Sequence, residues 1–113
     1  MANFIIKDGV CVIPKGVTEI ENFAFSDCTD LTRIEIPDSV TEIGGYAFEG
    51  CTGLTSIEIP DSVTKIGMEA FYDCKALERI YVPAKKADYY KKRLPEQLHD
   101  KIVELAPEKK TKK

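Results

Sequence analysis

The chain has 113 residues, 43% of them hydrophobic, which is enough for one buried core and sets the scale at one domain or one small repeat array. No apolar run approaches the roughly 18 residues of a membrane-crossing helix, and Phe4-Ile5-Ile6 is too short for a signal-peptide core, so membrane insertion is not expected. The net charge of -3 is split: 14 acidic against 6 basic residues through Pro83, then 10 basic against 5 acidic from Ala84, so an acidic body that argues against a nucleic-acid platform carries a basic end.

The first element expected is a hairpin. Two apolar runs, Phe4 to Lys7 and Val10 to Ile13, flank Asp8-Gly9, a dipeptide that tolerates positive φ at both positions. Residues 1–12 are therefore expected to fold over the open end of the first coil.

From Ile13 a 23-residue period takes over. Units open at Ile13-Pro14, Ile36-Pro37 and Ile59-Pro60, and Val82-Pro83 opens a fourth. The recurring sets are Val17/Val40/Val63, Ile20/Ile43/Ile66, Ala24/Ala47/Ala70, Phe25/Phe48/Phe71, Cys28/Cys51/Cys74, Leu31/Leu54/Leu77 and Ile34/Ile57/Ile80. One turn cannot bury its own apolar face, so equivalent side chains stack on one another in neighbouring turns about 4.8 Å apart.

Within a unit, Leu54 to Ile59 forms a short strand with Ile57 and Ile59 inward and Glu58 outward. Pro60 ends it for want of an N–H, Asp61-Ser62 makes a corner, and Val63 and Ile66 send a second extended segment inward. Gly67 breaks that segment. Ala70, Phe71 and Cys74 then fall at i, i+1 and i+4, the spacing of a short helical turn. Each coil thus has a strand side and a helical side. Extending the period in both directions gives five parallel rungs: Cys11-Ile13, Ile34-Ile36, Ile57-Ile59, Ile80-Val82 and Val103-Leu105.

After Pro83 the consensus fails. Lys86 to Leu94 and Glu96 to Asp100 are expected to be helical, with Pro95 starting the second piece. Tyr89, Tyr90, Leu94 and Leu98 would close the far end before the strand Ile102 to Leu105. The division is therefore a single domain over 1–106, made of a hairpin cap (1–12), three repeats (13–83) and a helix–strand cap (84–106), with a basic tail at 107–113 expected to be disordered.

The residue types that carry chemistry form no site. Cys28, Cys51 and Cys74 stand one period apart, which fits no CxxC zinc pattern. Side chains in register run parallel, leaving Cβ atoms about 4.8 Å apart, beyond the usual disulfide range. All four cysteines, with Cys11 as a small inward hydrophobe, are expected to be free thiols. His99 lies in the closing segment and has no Ser/His/Asp or Cys/His constellation around it; Gly44-Gly45 belongs to a repeat corner, not a phosphate loop. No catalytic residue, metal or cofactor is assigned, and an enzyme is not expected.

Two outward ladders remain: Glu35, Glu58 and Tyr81, and Arg33, Ser56 and Arg79. They lie on the strand face, the side repeat proteins commonly use for binding. Ordinary solubility is the plainer account of them. As a partner-binding patch they would have Tyr81 as the aromatic anchor.

The units running from Ile36-Pro-Asp-Ser-Val-Thr-Glu-Ile-Gly-Gly-Tyr-Ala-Phe and from Ile59-Pro-Asp-Ser-Val-Thr-Lys-Ile-Gly strongly resemble the BspA-like leucine-rich repeats, over roughly Val10 to Pro83. The resemblance implies an α/β solenoid, a right-handed leucine-rich-repeat coil capped at both ends. It also implies a secreted or surface protein of gut or oral bacteria, often an adhesin binding host matrix proteins or other cells. The chain differs in being short and in showing no leader or sorting signal. The expected function is a non-catalytic protein-binding or adhesion module; the alternative is an intracellular scaffold or self-assembling repeat protein.

Overall fold

The computed structural model describes residues 4–106; the tail expected at 107–113 lies outside the described residues. In chain order the elements are β1 (Val10–Val12), β2 (Glu19–Ile20), β3 (Arg33–Glu35), β4 (Glu42–Ile43), β5 (Ser56–Glu58), β6 (Lys65–Ile66), β7 (Arg79–Val82), α1 (Ala87–Lys91), a 3-10 helix (Glu96–Lys101) and β8 (Ile102–Glu104). All pairings between these strands are parallel, in open sheets, as in a repeat solenoid. The period sets the register: Cys11 lies opposite Ile34, Ile57 opposite Ile80, and Ile20, Ile43 and Ile66 form one row.

Strands β1, β3, β5 and β7 bury Cys11, Ile34, Ile57 and Ile80 and leave the residues on either side of them more exposed. The rings of Phe25, Phe48 and Phe71 stack nearly parallel at 5.4 Å intervals, and Phe4 adds a fourth ring 5.5 Å from Phe25. In the middle coil Val40, Ile43, Ala47, Phe48, Cys51 and Leu54 are all fully buried, whereas Val17, Ala24, Cys28, Ile66 and Cys74 in the flanking coils are only partly so. A coil is shielded by its neighbours, and only the middle one has two of its own kind.

Three features depart from the sequence expectation. The far side of each coil is a run of tight turns, not a helix. Positive φ recurs twice per coil, at Phe23 and Asp27, Tyr46 and Gly50, and Glu69 and Asp73, and a right-handed helix cannot pass through such residues. The N–H groups of Ala24, Ser26 and Cys28 close turns onto carbonyls three residues back, while those of Phe23, Phe25 and Asp27 point along the axis to Gly45, Ala47 and Glu49 of the next coil. Paired turns satisfy the same i, i+1, i+4 spacing that a helix would.

Next, the strand side is not one ladder of five. β1 pairs with β3, and β5 with β7 and β8, but β3 and β5 belong to separate sheets. These two strands carry Glu35 and Glu58 one period apart, and like charges on adjacent strands are unfavourable by up to about 1 kcal/mol, although Glu19 and Glu42 lie opposite each other on β2 and β4 and those strands pair, so repulsion alone does not account for the break. The coils stay joined there through the turn-side bonds and through β2–β4 pairing.

Finally, the last rung is slipped by one residue. Ile102, not Val103, lies opposite Ile80, so Val103 faces outward beside Tyr81 and Glu104 lies opposite Val82. From there the Glu104 carboxylate accepts the Ala87 N–H at 2.9 Å, placing an anion at the start of α1.

At the N-terminus Asp8 and Gly9 both have positive φ (53° and 83°), and Lys7 and Val10 exchange two backbone hydrogen bonds across them, the geometry of a two-residue hairpin turn. At the other end Tyr90 and Leu94 are buried, with Tyr89 and Leu98 packed against the core.

Candidate functional site

The strand face is assembled by three physical facts. Side chains alternate along each strand, parallel pairing keeps equivalents in rows, and the inward member of each strand is locked in the core. On β3, Arg33 and Glu35 form an ion pair at 3.0 Å with both side chains well exposed. On the other sheet Ser56 lies opposite Arg79, Glu58 opposite Tyr81, and Tyr81 opposite Val103. The six expected residues thus fall into two groups, Arg33 with Glu35 and the remaining four together, separated by the break between β3 and β5. A cavity of about 270 Å³ lined by Glu58, Pro60, Pro83 and Leu105 opens beside the second group.

The face is larger than those six residues. Val12 is 60% exposed and pairs with Glu35; Val103 is 37% exposed at the opposite edge. Val10 and Val12 stand one period before Arg33 and Glu35, so the period itself held that signal. No such signal existed for Val103, because the slip that exposes it lies outside the repeat. Charge in the middle with valines at both margins gives a surface able to make ion pairs and hydrogen bonds flanked by apolar contact. On the turn side a second aromatic row exists: the exposed Phe23 ring stacks on the half-buried Tyr46 ring at 5.3 Å, with the exposed Tyr72 edge-on to Tyr46 at 6.3 Å.

The four thiols are all free. Cys51 donates its S–H to the Phe25 carbonyl at 3.1 Å, and Cys74 to Phe48 at 3.0 Å, so the cysteine row ties each coil to the one before. Burial pushes the Cys51 thiol up to about 12 and Cys74 to about 11; Cys11 and Cys28 are raised for the same cause. Such thiols stay protonated and are poor nucleophiles or metal ligands. His99 turns its Nε2 toward the Lys91 and Leu94 carbonyls, at 2.8 and 3.0 Å, which makes that nitrogen a donor that holds the closing segment.

Comparison with known proteins fits this geometry. The model of the BspA type leucine rich repeat region (6 copies) matches residues 9–94. The chain belongs to the BspA-type leucine-rich-repeat family. A leucine rich cell surface protein from Faecalibacterium prausnitzii is similar in structure with a TM-score of 0.61 and 46% identity, over 65% of this chain and 19% of that one. A leucine-rich repeat protein from Bacteroides ovatus is similar with a TM-score of 0.53 and 26% identity, over 80% of this chain and 29% of that one. This BspA-type chain therefore spans less than a third of the length of either protein. No curated protein matches it. BspA-type repeats are leucine-rich repeats, a class that generally mediates protein–protein interaction.

Proposed function

We propose that this BspA-type chain is a non-catalytic protein-binding or adhesion module that presents its strand face to a macromolecular partner. The observation that carries the reading is the outward cluster Ser56, Glu58, Arg79 and Tyr81, held in register on β5 and β7 by pairing of their buried neighbours Ile57 and Ile80. Arg33 and Glu35 extend it on β3. Tyr81 supplies a large rigid contact area and Arg79 a planar donor, the residue types that dominate interface energetics. The partner would be a protein, such as host extracellular matrix or another cell's surface. The cell-surface description of the similar Faecalibacterium prausnitzii protein supports that setting. We further read the coil as right-handed, the sense nearly all parallel crossovers take, with 1–12 and 84–106 as caps on three repeats at 13–83.

The test is binding of immobilised matrix proteins and of whole cells by the wild-type chain and by a Tyr81→Ala, Arg79→Ala variant. The reading requires a partner whose binding falls at least roughly tenfold in the variant while its unfolding midpoint stays near that of the wild type. A partner bound equally well by both removes the strand face from the interaction.

A further inference from the structure

On the turn side, alternate N–H groups run along the solenoid axis and end on the next coil's carbonyls. Phe23, Phe25 and Asp27 reach Gly45, Ala47 and Glu49 at 3.0, 2.7 and 2.6 Å; Tyr46, Phe48 and Gly50 reach Met68, Ala70 and Tyr72 at 3.0, 2.8 and 2.9 Å. The third coil keeps the same backbone. Glu69 and Asp73 hold φ of 50° and 61°, against 61° at both Phe23 and Asp27, and Tyr72 and Cys74 close the same short turns. Its three matching donors, the N–H groups of Glu69, Phe71 and Asp73, have no acceptor among the described residues. All three residues line a cavity of about 250 Å³ whose opposite wall is Pro95, Gln97 and Leu98. The closing segment covers the core here but does not supply the carbonyls that a fourth coil would.

We propose that this edge binds a short segment of a partner polypeptide that takes the same tight-turn path as residues 45–49 and 68–72, by main-chain pairing, with carbonyls of alternate residues accepting from Glu69, Phe71 and Asp73. It uses main-chain pairing, as strand addition does, but between tight turns at the end of the third coil. The first and second coils show what fits: the same donor triplet is covered twice by a segment whose central accepting residue is alanine, Ala47 or Ala70, small enough for close backbone approach. Donors at i, i+2 and i+4 match the alternate carbonyls that such a turn segment presents, as Gly45, Ala47 and Glu49 do, and do not converge on one point, as donors for a single anion would. Of the charged side chains beside the edge, Asp73 is paired with Lys75 at 3.8 Å, which leaves the Glu69 carboxylate and a net negative charge that favours a segment carrying Lys or Arg and disfavours an acidic one. This surface is distinct from the strand face and does not rest on it.

The probe is a synthetic peptide, Gly-Gly-Tyr-Ala-Phe-Lys-Gly, which copies residues 44–50 with lysine in place of Glu49. It is titrated into the full chain while amide shifts and hydrogen exchange are followed by NMR. The expected result is that the Glu69, Phe71 and Asp73 amides move and exchange at least roughly tenfold more slowly with peptide bound. Gln97→Trp, which fills the cavity wall, abolishes both effects without lowering the unfolding midpoint. A parallel peptide retaining Glu binds more weakly.

Several results would overturn the proposal: three unmoved amides, equal protection in Gln97→Trp, or amides already as protected in the free chain as those of Phe25 and Phe48. Protection that grows with protein concentration alone would assign the edge to a second copy of the chain and overturn the partner-segment assignment.

Discussion

The three coils and the segment that follows them face the same physical demand and meet it by different means. In the coils, Ser39 donates its hydroxyl to the Val17 carbonyl at 2.8 Å, and Thr41 and Thr64 donate theirs to Thr18 and Thr41 at 3.2 and 3.4 Å. Repetition answers the Val17, Thr18 and Thr41 carbonyls with the next coil's hydroxyls, and the Thr18 and Thr41 carbonyls with its N–H groups as well, whereas the buried Ser62 hydroxyl finds no partner among the described residues. Past the third coil there is no next coil, and the carbonyls of Val63 and Thr64 are met by the Tyr90 hydroxyl at 2.8 Å and the Arg93 Nε at 2.9 Å. The repeat satisfies its backbone by copying itself, whereas the closing segment does so with side chains of unrelated type reaching in from α1 and just beyond it. Substitutions can break or sharpen that contrast, and the largest effects belong in the coils.

Phe48→Ala removes the central ring of the stack at a fully buried position with rings on both sides. Neither neighbour can fill the gap without leaving its own coil, so we expect a loss of about 3–5 kcal/mol, read as a lower urea midpoint. A loss below that of Phe71→Ala, whose ring has a stacked partner on one side only, would break the view that coils shield one another.

Legibility in the sequence divides along the same boundary. Inside the period, the rows of Ile20, Phe48 and Cys51 and the outward pairs Ser56–Arg79 and Glu58–Tyr81 are readable because position in the repeat fixes position in space. The turns read as helical because a buried face records which side chains point inward but not the sign of φ at Phe23 or Asp27. The one-residue slip of β8 is unreadable, since the path from Val82 to Ile102 through α1 and the 3-10 helix has a length that no copy elsewhere in the chain calibrates. The slip also moves Val103 onto the candidate face, so that residue and the slipped rung were missed for one cause, whereas Val12 lay within the period and could have been read from it.

Tyr90→Phe sharpens the contrast at the closing end. It deletes only the hydroxyl that serves the Val63 and Pro60 carbonyls, and the ring stays in place. The Pro60 carbonyl keeps the Val63 N–H, but leaving the buried Val63 carbonyl unmet is expected to cost about 1–2 kcal/mol, more than Ser39→Ala, whose site is partly exposed. Denaturant unfolding of both variants checks the order; equal losses would mean that the closing segment carries no special burden.

Alkaline titration asks whether the cysteine row and Tyr90 act alike. In the fold Cys51 and Tyr90 ionise near 12 and Cys74 near 11, against ordinary values of 9.0 for the thiols and 10.0 for the phenol. Raised values mean that the fold holds the neutral forms. Their contribution is complete below pH 9.0 and is lost as pH climbs through the folded values. The urea midpoint should therefore stay flat near neutrality and fall above that point. In Cys51→Ala the fall should be shallower, although the variant starts from a lower midpoint, and a slope identical to wild type would remove the thiol row from the account.

The smallest effect is expected on the strand face. Glu35→Gln breaks the ion pair to Arg33 at 3.0 Å, but both side chains are largely in water, where such pairs are worth about 0–1 kcal/mol. The substitution also removes a like charge one period from Glu58, and the two changes oppose each other, so the net shift in stability should stay within ~0.5 kcal/mol. A gain in stability together with new slow-exchanging amides between β3 and β5 would show that charge repulsion keeps those strands in separate sheets. A loss larger than ~0.5 kcal/mol would show that the Arg33–Glu35 pair holds β3 in place, and the outward residues would then be part of what folds the coil instead of a surface free to be shaped by a partner.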